Sequence, residues 1–89
     1  MLKIVTTNQF KKDLKRASKR GKNIDKLEAV VNILQSGNNL EMSYRNHQLT
    51  GNWFPYCECH IEPDWLLIYH RTQTELILIR TGSHSDLFD

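Results

Sequence analysis

The hydrophobic period of this chain changes once, and that change limits the folds open to it. Up to Leu34 the apolar residues recur at helical spacing. Phe10, Leu14 and Ala17 make one stripe; Ile24, Leu27, Val30, Val31 and Leu34 make another. From Trp53 onward the period is two. Trp53, Pro55, Cys57, Cys59 and Ile61 alternate with Phe54, Tyr56, Glu58 and His60. Helices gathered at one end and strands at the other predict an α+β fold, with the helices packed on one face of the sheet.

Local punctuation places the elements. Residues 2–6 read as a strand. Thr7 or Asn8 caps the first helix, and Gly21 stops it. The second helix starts near Asn23 and ends at Gly37. Residues 38–52 are polar and read as turns. Pro55 makes the strand after Trp53 start late or lie partly at an edge. Glu62-Pro63-Asp64 is a turn, Trp65 to Arg71 a strand, and Glu75 to Thr81 a third. The run Leu76-Ile77-Leu78-Ile79 suggests burial on both sides. Ser83 to Phe88 forms a short tail with one helical turn. The expected order is β-α-α-β-β-β, a mostly antiparallel four-stranded sheet whose other face, with Tyr56, Glu58 and His60, stays open.

With 89 residues, one domain spanning 1–89 is the expectation, with a thin core that a partner would help to cover. No apolar run approaches the ~20 residues that cross a bilayer. The start, Met1-Leu2-Lys3-Ile4-Val5, reads as a strand rather than a signal peptide, so a cytoplasmic protein with no membrane partner is expected. Cys57 and Cys59 fit small buried hydrophobes in a reducing compartment. A Cys-x-Cys-His metal site is disfavoured, because alternation puts His60 on the opposite face from both. Charge is unevenly spread. Residues 1–26 hold nine Lys and Arg against two Asp, while residues 27–89 hold three Arg against eight Asp and Glu. A polyanion partner and a merely solvated helix face both explain the basic end.

The strand half also carries the proton-handling side chains. His47, His60, Asp64, Arg80, His84 and Phe88 all fall beside strand ends or turns, where a scaffold presents chemistry. The set suits RNA, whose 2′-hydroxyl is already the nucleophile. Histidines serve both proton steps, an arginine fork holds phosphate, and an aromatic stacks on a base. No metal or other cofactor is required. Each residue also has a plainer reading. His60 fits a hydrogen-bonded strand residue, His47 plain surface, Asp64 a turn residue and Phe88 a core plug. Arg80 fits a simple carboxylate pair. His70 reads as structural.

The stretch Gly51-Asn52-Trp53, then Tyr56-Cys57-Glu58-Cys59-His60-Ile61-Glu62-Pro63-Asp64-Trp65-Leu66-Leu67-Ile68-Tyr69, resembles the YafQ-like toxins of the RelE superfamily. So does Leu78-Ile79-Arg80-Thr81-Gly82-Ser83-His84-Ser85-Asp86-Leu87-Phe88. The first half is similar in pattern. The resemblance implies a RelE-like fold and a type II toxin that enters the ribosomal A site and cuts mRNA. It also implies an antitoxin, typically of ribbon-helix-helix type, through which alone the toxin meets DNA. Carried over by position, His84 is the leading proton-transfer residue and His47 its partner. His60 and Asp64 orient the RNA and tune charge, Phe88 stacks on or braces a base, and Arg80 holds phosphate. Relatives often carry Lys or Arg where this chain has Phe54 and Cys57, so weaker phosphate binding by that strand is expected. Two rival functions stand beside this one: a non-catalytic module that blocks the ribosome sterically, and an antitoxin-bound scaffold for operon repression.

Overall fold

The computed structural model describes residues 1–88. Strand β1 (Lys3–Thr6) leads into helix α1 (Asn8–Lys19) and helix α2 (Ile24–Gln35). Then come the short strand β2 (His47–Gln48) and the meander β3 (Cys57–Glu62), β4 (Trp65–Arg71) and β5 (Glu75–Gly82), followed by helix α3 (His84–Phe88). The sheet order is β1-β5-β4-β3-β2. β1 runs parallel to β5 and the other neighbours are antiparallel. The sheet thus has five strands, not the expected four. The extra one, β2, is two residues long and sits in the stretch read as turns.

The helix ends follow the chain chemistry. The Thr7 hydroxyl accepts from the Phe10 N–H at 2.9 Å, and the Asn23 side chain accepts from the Asp25 N–H at 3.0 Å. Each satisfies a backbone donor that the first helical turn leaves free. Gly21 and Gly37 both take φ +81°, where a Cβ is penalised, and both lie just beyond a helix end.

Alternation then sorts the strands into two faces. On the helix side, Cys59, Trp65, Leu67, Tyr69, Leu76 and Leu78 pack with Phe10, Ala17 and the α2 stripe. On the other side Leu66 and Ile68 pack with Leu87, and Leu49, Trp53, Tyr56 and Ile79 close over them. That face is therefore only partly open. Trp53 belongs to this second cluster. It stands in a 3₁₀ turn, Gly51–Trp53, and strand geometry begins only at Cys57. The strand buried on both faces is the central β4, with Trp65 to Tyr69 all buried, rather than β5, where Ile77 and Ile79 remain half-buried.

Asp13 solves a problem at the edge of this sheet. β1 pairs with β5 only as far as Thr6 opposite Leu78, which leaves the rest of the β5 edge without a strand. The buried Asp13 carboxylate of α1 accepts from the Thr81 backbone N–H there, at 3.2 Å. It also accepts from Arg80 Nε at 2.6 Å, Arg80 Nη2 at 3.2 Å, Arg16 at 3.1 Å and Gln9 at 3.1 Å. A buried carboxylate supplied this fully is stabilising only as a set, because any unpaired member is left desolvated. Among the described residues no helix is long and apolar enough to cross a membrane.

Candidate active site

The β3–β4 turn and the end of β5 meet at one end of the sheet, and β2 lies along the edge of β3 with His47 opposite Glu58. His84 opens α3, and Asp64 in the turn holds it twice. One oxygen of Asp64 accepts from the His84 backbone N–H at 2.9 Å and from the ring Nδ1 at 2.7 Å. Nδ1 must then carry the proton, so Nε2 is the nitrogen left for a substrate. These two bonds hold the Asp64 carboxyl below its ordinary range, the backbone bond more than the ring. Asp64 therefore stays ionised, and its grip on α3 is lost only as pH falls through that depressed value. In an amide titration the His84 N–H resonance is expected to move with a midpoint below that of a free aspartate. A midpoint at or above the ordinary value would contradict the pairing.

α3 has five residues, too few to stand alone, and its first turn is tied down from both sides. The Ser83 hydroxyl accepts from the Asp86 N–H at 3.1 Å, and the Asp86 carboxylate accepts from the Ser83 N–H at 3.0 Å. This is a reciprocal capping box. Arg20, just past α1, donates to the same carboxylate at 2.7 Å. The guanidinium first, then the Ser83 N–H, holds the Asp86 carboxyl far below the usual range. Gly82 leaves room for this: a Cβ there would come within 3.0 Å of Asp86.

His60 stands next to His84, ring centroids 5.6 Å apart. Its two nitrogens face two acceptors, the Pro63 carbonyl at 3.2 Å and the Glu58 carboxylate at 3.1 Å. A neutral ring can donate to only one of them. A β-bulge at Ile61 follows His60 and breaks the strict alternation at the strand end. His47, on β2, pairs with Glu58 across the ladder. Its Nδ1 lies 2.9 Å from the Arg45 carbonyl and its Nε2 lies 3.9 Å from Glu58. Glu58 is buried and thus stands between two histidines. Phe88 lies beyond His84, 6.3 Å between centroids, braced edge-on by Trp53 at 5.6 Å, and is exposed on its remaining side.

Five residues singled out in the sequence, His47, His60, Asp64, His84 and Phe88, are therefore gathered in one row. Arg80 is the exception, since its Nε and Nη2 are closed on Asp13. Glu58 was missed as a member of the row. The signal was present, because a residue two before His60 on a strand shares its face. Glu58, His60 and His84 also offer three ligand atoms within 4.8 Å of one another, a set that fits a metal ion. The cysteines do not join them. Cys59 is in the core, and burial pushes its thiol up to about 12.

Residues 2–89 match the family described as bacterial toxin of type II toxin–antitoxin system, YafQ. The chain belongs to the YafQ family. It is 41% identical over 83 residues to the mRNA interferase toxin YafQ of Escherichia coli K12, covering 92% of this chain and 90% of that protein. The crystal structure of the E. coli DinJ–YafQ toxin–antitoxin complex contains a chain that superposes with a TM-score of 0.92 at 39% identity. The match covers 99% of this chain and 98% of that one. A metal-bound toxin from Helicobacter pylori matches with a TM-score of 0.92 at 41% identity, over 99% and 100% of the two chains. YafQ membership agrees with the resemblance drawn from the β3–β4 and β5–α3 segments.

The uneven charge also finds a partial explanation. Lys22 and Lys26 both bind Glu62 at 3.0 Å, and Arg20 binds Asp86, so part of the basic end neutralises the acidic one. These pairs are half-exposed and add little stability. Lys11, Lys12, Lys15 and Lys19 on α1 enter no ion pair among the described residues.

Proposed function

We propose that this chain is a ribosome-dependent mRNA endonuclease, acting as one toxin unit over residues 1–89 and held in check by a cognate antitoxin. The observation that carries this reading is His84, whose ring Asp64 fixes with Nε2 free, beside His60 and Glu58 on an accessible sheet end. The E. coli relative named an mRNA interferase shares this fold and family.

The reaction follows from what each group can do. The RNA 2′-hydroxyl attacks the adjacent phosphorus, one histidine removes its proton, and another protonates the leaving 5′-oxygen. His84 and His47 are the proton-transfer pair, since each offers Nε2 while Nδ1 is tied to a carboxylate or carbonyl. His60, poised on Glu58, stabilises the charge on the phosphorane. Asp64 sets the His84 tautomer, much as the aspartate of a catalytic triad sets its histidine. Phe88 offers its open side to a base. Arg80 adds positive potential at the end of β5 while two of its nitrogens stay on Asp13. The free lysines of α1 supply the attraction to ribosomal RNA that Phe54 and Cys57 cannot.

The nucleophile belongs to the RNA and the proton carriers are imidazoles, so no metal is needed. A divalent ion bound by Glu58, His60 and His84 would occupy the imidazole of His84, one of the two proton carriers. With Mg²⁺ held at the level ribosomes need, cleavage is therefore expected to be unchanged by a chelator selective for transition metals and reduced by added cupric ion. Loss of activity with the chelator alone would refute metal independence.

The E. coli relative is seen in complex with DinJ. By extension the antitoxin here is a small protein of ribbon-helix-helix type, DNA is reached only through it, and the setting is the cytoplasm. Primer extension on a reporter mRNA in a translating extract tests the whole reading. Wild-type protein is expected to give new 5′ ends in frame with codons, only when ribosomes are present. Arrested translation with no new ends would instead support a steric blocker docked through the α1 lysines.

A further inference from the structure

Two cavities flank the histidine row. One, of about 220 Å³, lies against α1, and its cations Arg16, Arg20 and Lys22 are spent on Asp13, Asp86 and Glu62. The other, of about 360 Å³, lies between the 3₁₀ turn Met42–Tyr44 and the β3–β4 turn. His60 forms part of its wall, with Ser43, Tyr44, Arg45 and Pro63. It is therefore continuous with the chemistry rather than separate from it. Its volume falls in the ~300–1,000 Å³ range of small-ligand sites.

Arg45 distinguishes this cavity. Its backbone is left-handed, φ 50°, which is uncommon for a residue with a Cβ. That turn aims its carbonyl at His47. Its guanidinium is exposed and makes no hydrogen bond or ion pair among the described residues. The acidic residue of the lining, Glu62, is already held by Lys22 and Lys26. The lining thus offers one uncommitted cation, plus a Ser43 hydroxyl able to donate or accept.

We infer that this cavity is the subsite for the nucleotide next to the scissile phosphate, with Arg45 on that nucleotide's phosphate and Ser43 at its base edge. This rests on the ribonuclease reading above. A strand whose scissile phosphate lies at His60 and His84 must continue past His60, and this cavity is a concave surface on that side. Single-stranded RNA is recognised by splaying bases into such recesses and pairing their edges with polar groups. An arginine fork suits the phosphate between them. The subsite contributes to codon preference without touching the reacting atoms.

Arg45→Gln, Arg45→Lys and Arg45→Gly test it, the glycine variant removing the guanidinium while suiting the left-handed backbone. Cleavage is measured on reporter mRNAs that vary the nucleotides on either side of the cut. The Gln and Gly variants are expected to raise KM about tenfold at nearly unchanged kcat, the mark of a lost binding contact. They should also flatten discrimination at one flanking position, and Lys should restore much of the affinity. Wild-type KM and codon pattern in both variants would overturn the subsite. So would a fall in kcat alone, which would mean that Arg45 acts only through His47. A second measurement stands independently of turnover. A short single-stranded RNA carrying a 2′-deoxy nucleotide at the cut should shift the Ser43 and Arg45 amide resonances of the wild type. Shifts at His84 without shifts at Ser43 and Arg45 overturn the subsite alone. An all-ribose mRNA that binds with the toxin on ribosomes but is not cut overturns the ribonuclease reading instead.

Discussion

Replacing His84 with alanine is expected to lower mRNA cleavage by about 10²- to 10⁴-fold, the range for one positioned acid or base. Thermal stability and antitoxin binding should be nearly unchanged. The side chain is 53% exposed, so its removal opens no cavity. Asp64 loses one hydrogen bond but keeps the His84 backbone N–H, so α3 keeps that anchor. The measurement is primer extension alongside a thermal melt. A His84→Ala protein as toxic as the wild type would remove His84 from the mechanism. A protein that is inactive but also unfolded would reassign it to structure.

Asp13→Ala is expected to cost about 3–5 kcal/mol of folding stability, the usual loss when a buried ion pair loses one partner. Asp13 is 2% exposed and takes donors from Gln9, Arg16, Arg80 and the Thr81 backbone. Removing it leaves the Arg80 guanidinium half-buried without its carboxylate and the Thr81 N–H with no acceptor at the strand edge. Asp13→Asn should cost less, because one oxygen remains to accept. Urea unfolding at neutral pH measures both. A loss below about 1 kcal/mol for the alanine variant would mean that water replaces the carboxylate readily.

What could be read from the sequence depended on how local the signal was. The β3–β4–β5 meander was legible because period two persists from Cys57 and because Glu62-Pro63-Asp64 is strong turn chemistry. The caps at Thr7 and Asn23, and the stops at Gly21 and Gly37, are likewise settled within one turn of chain. β2 was not legible, since two residues show no period; only its pairing to Glu58 and Cys57 makes it a strand. Trp53 was put on the wrong face because alternation was extended through a 3₁₀ turn. The gathering of His47, His60, Asp64, His84 and Phe88 could be anticipated because each lies beside a turn or strand end. The partners of Arg80 and Asp86 could not. Asp13 is 67 positions from Arg80, and Arg20 is 66 from Asp86. Only the return of β5 alongside α1 brings them together.

The way α3 is anchored has a consequence for timing during synthesis. α3 is secured by Arg20, just past the first helix, through Asp86, by Asp64 from the β3–β4 turn through His84, and by the packing of Leu87 on Leu66 and Ile68. The span 1–82 holds both large helices and all five strands. It still has no Asp64–His84 pair and no Phe88. On the proposed mechanism, the row of His84 and its partners is complete only when the earliest and latest segments meet.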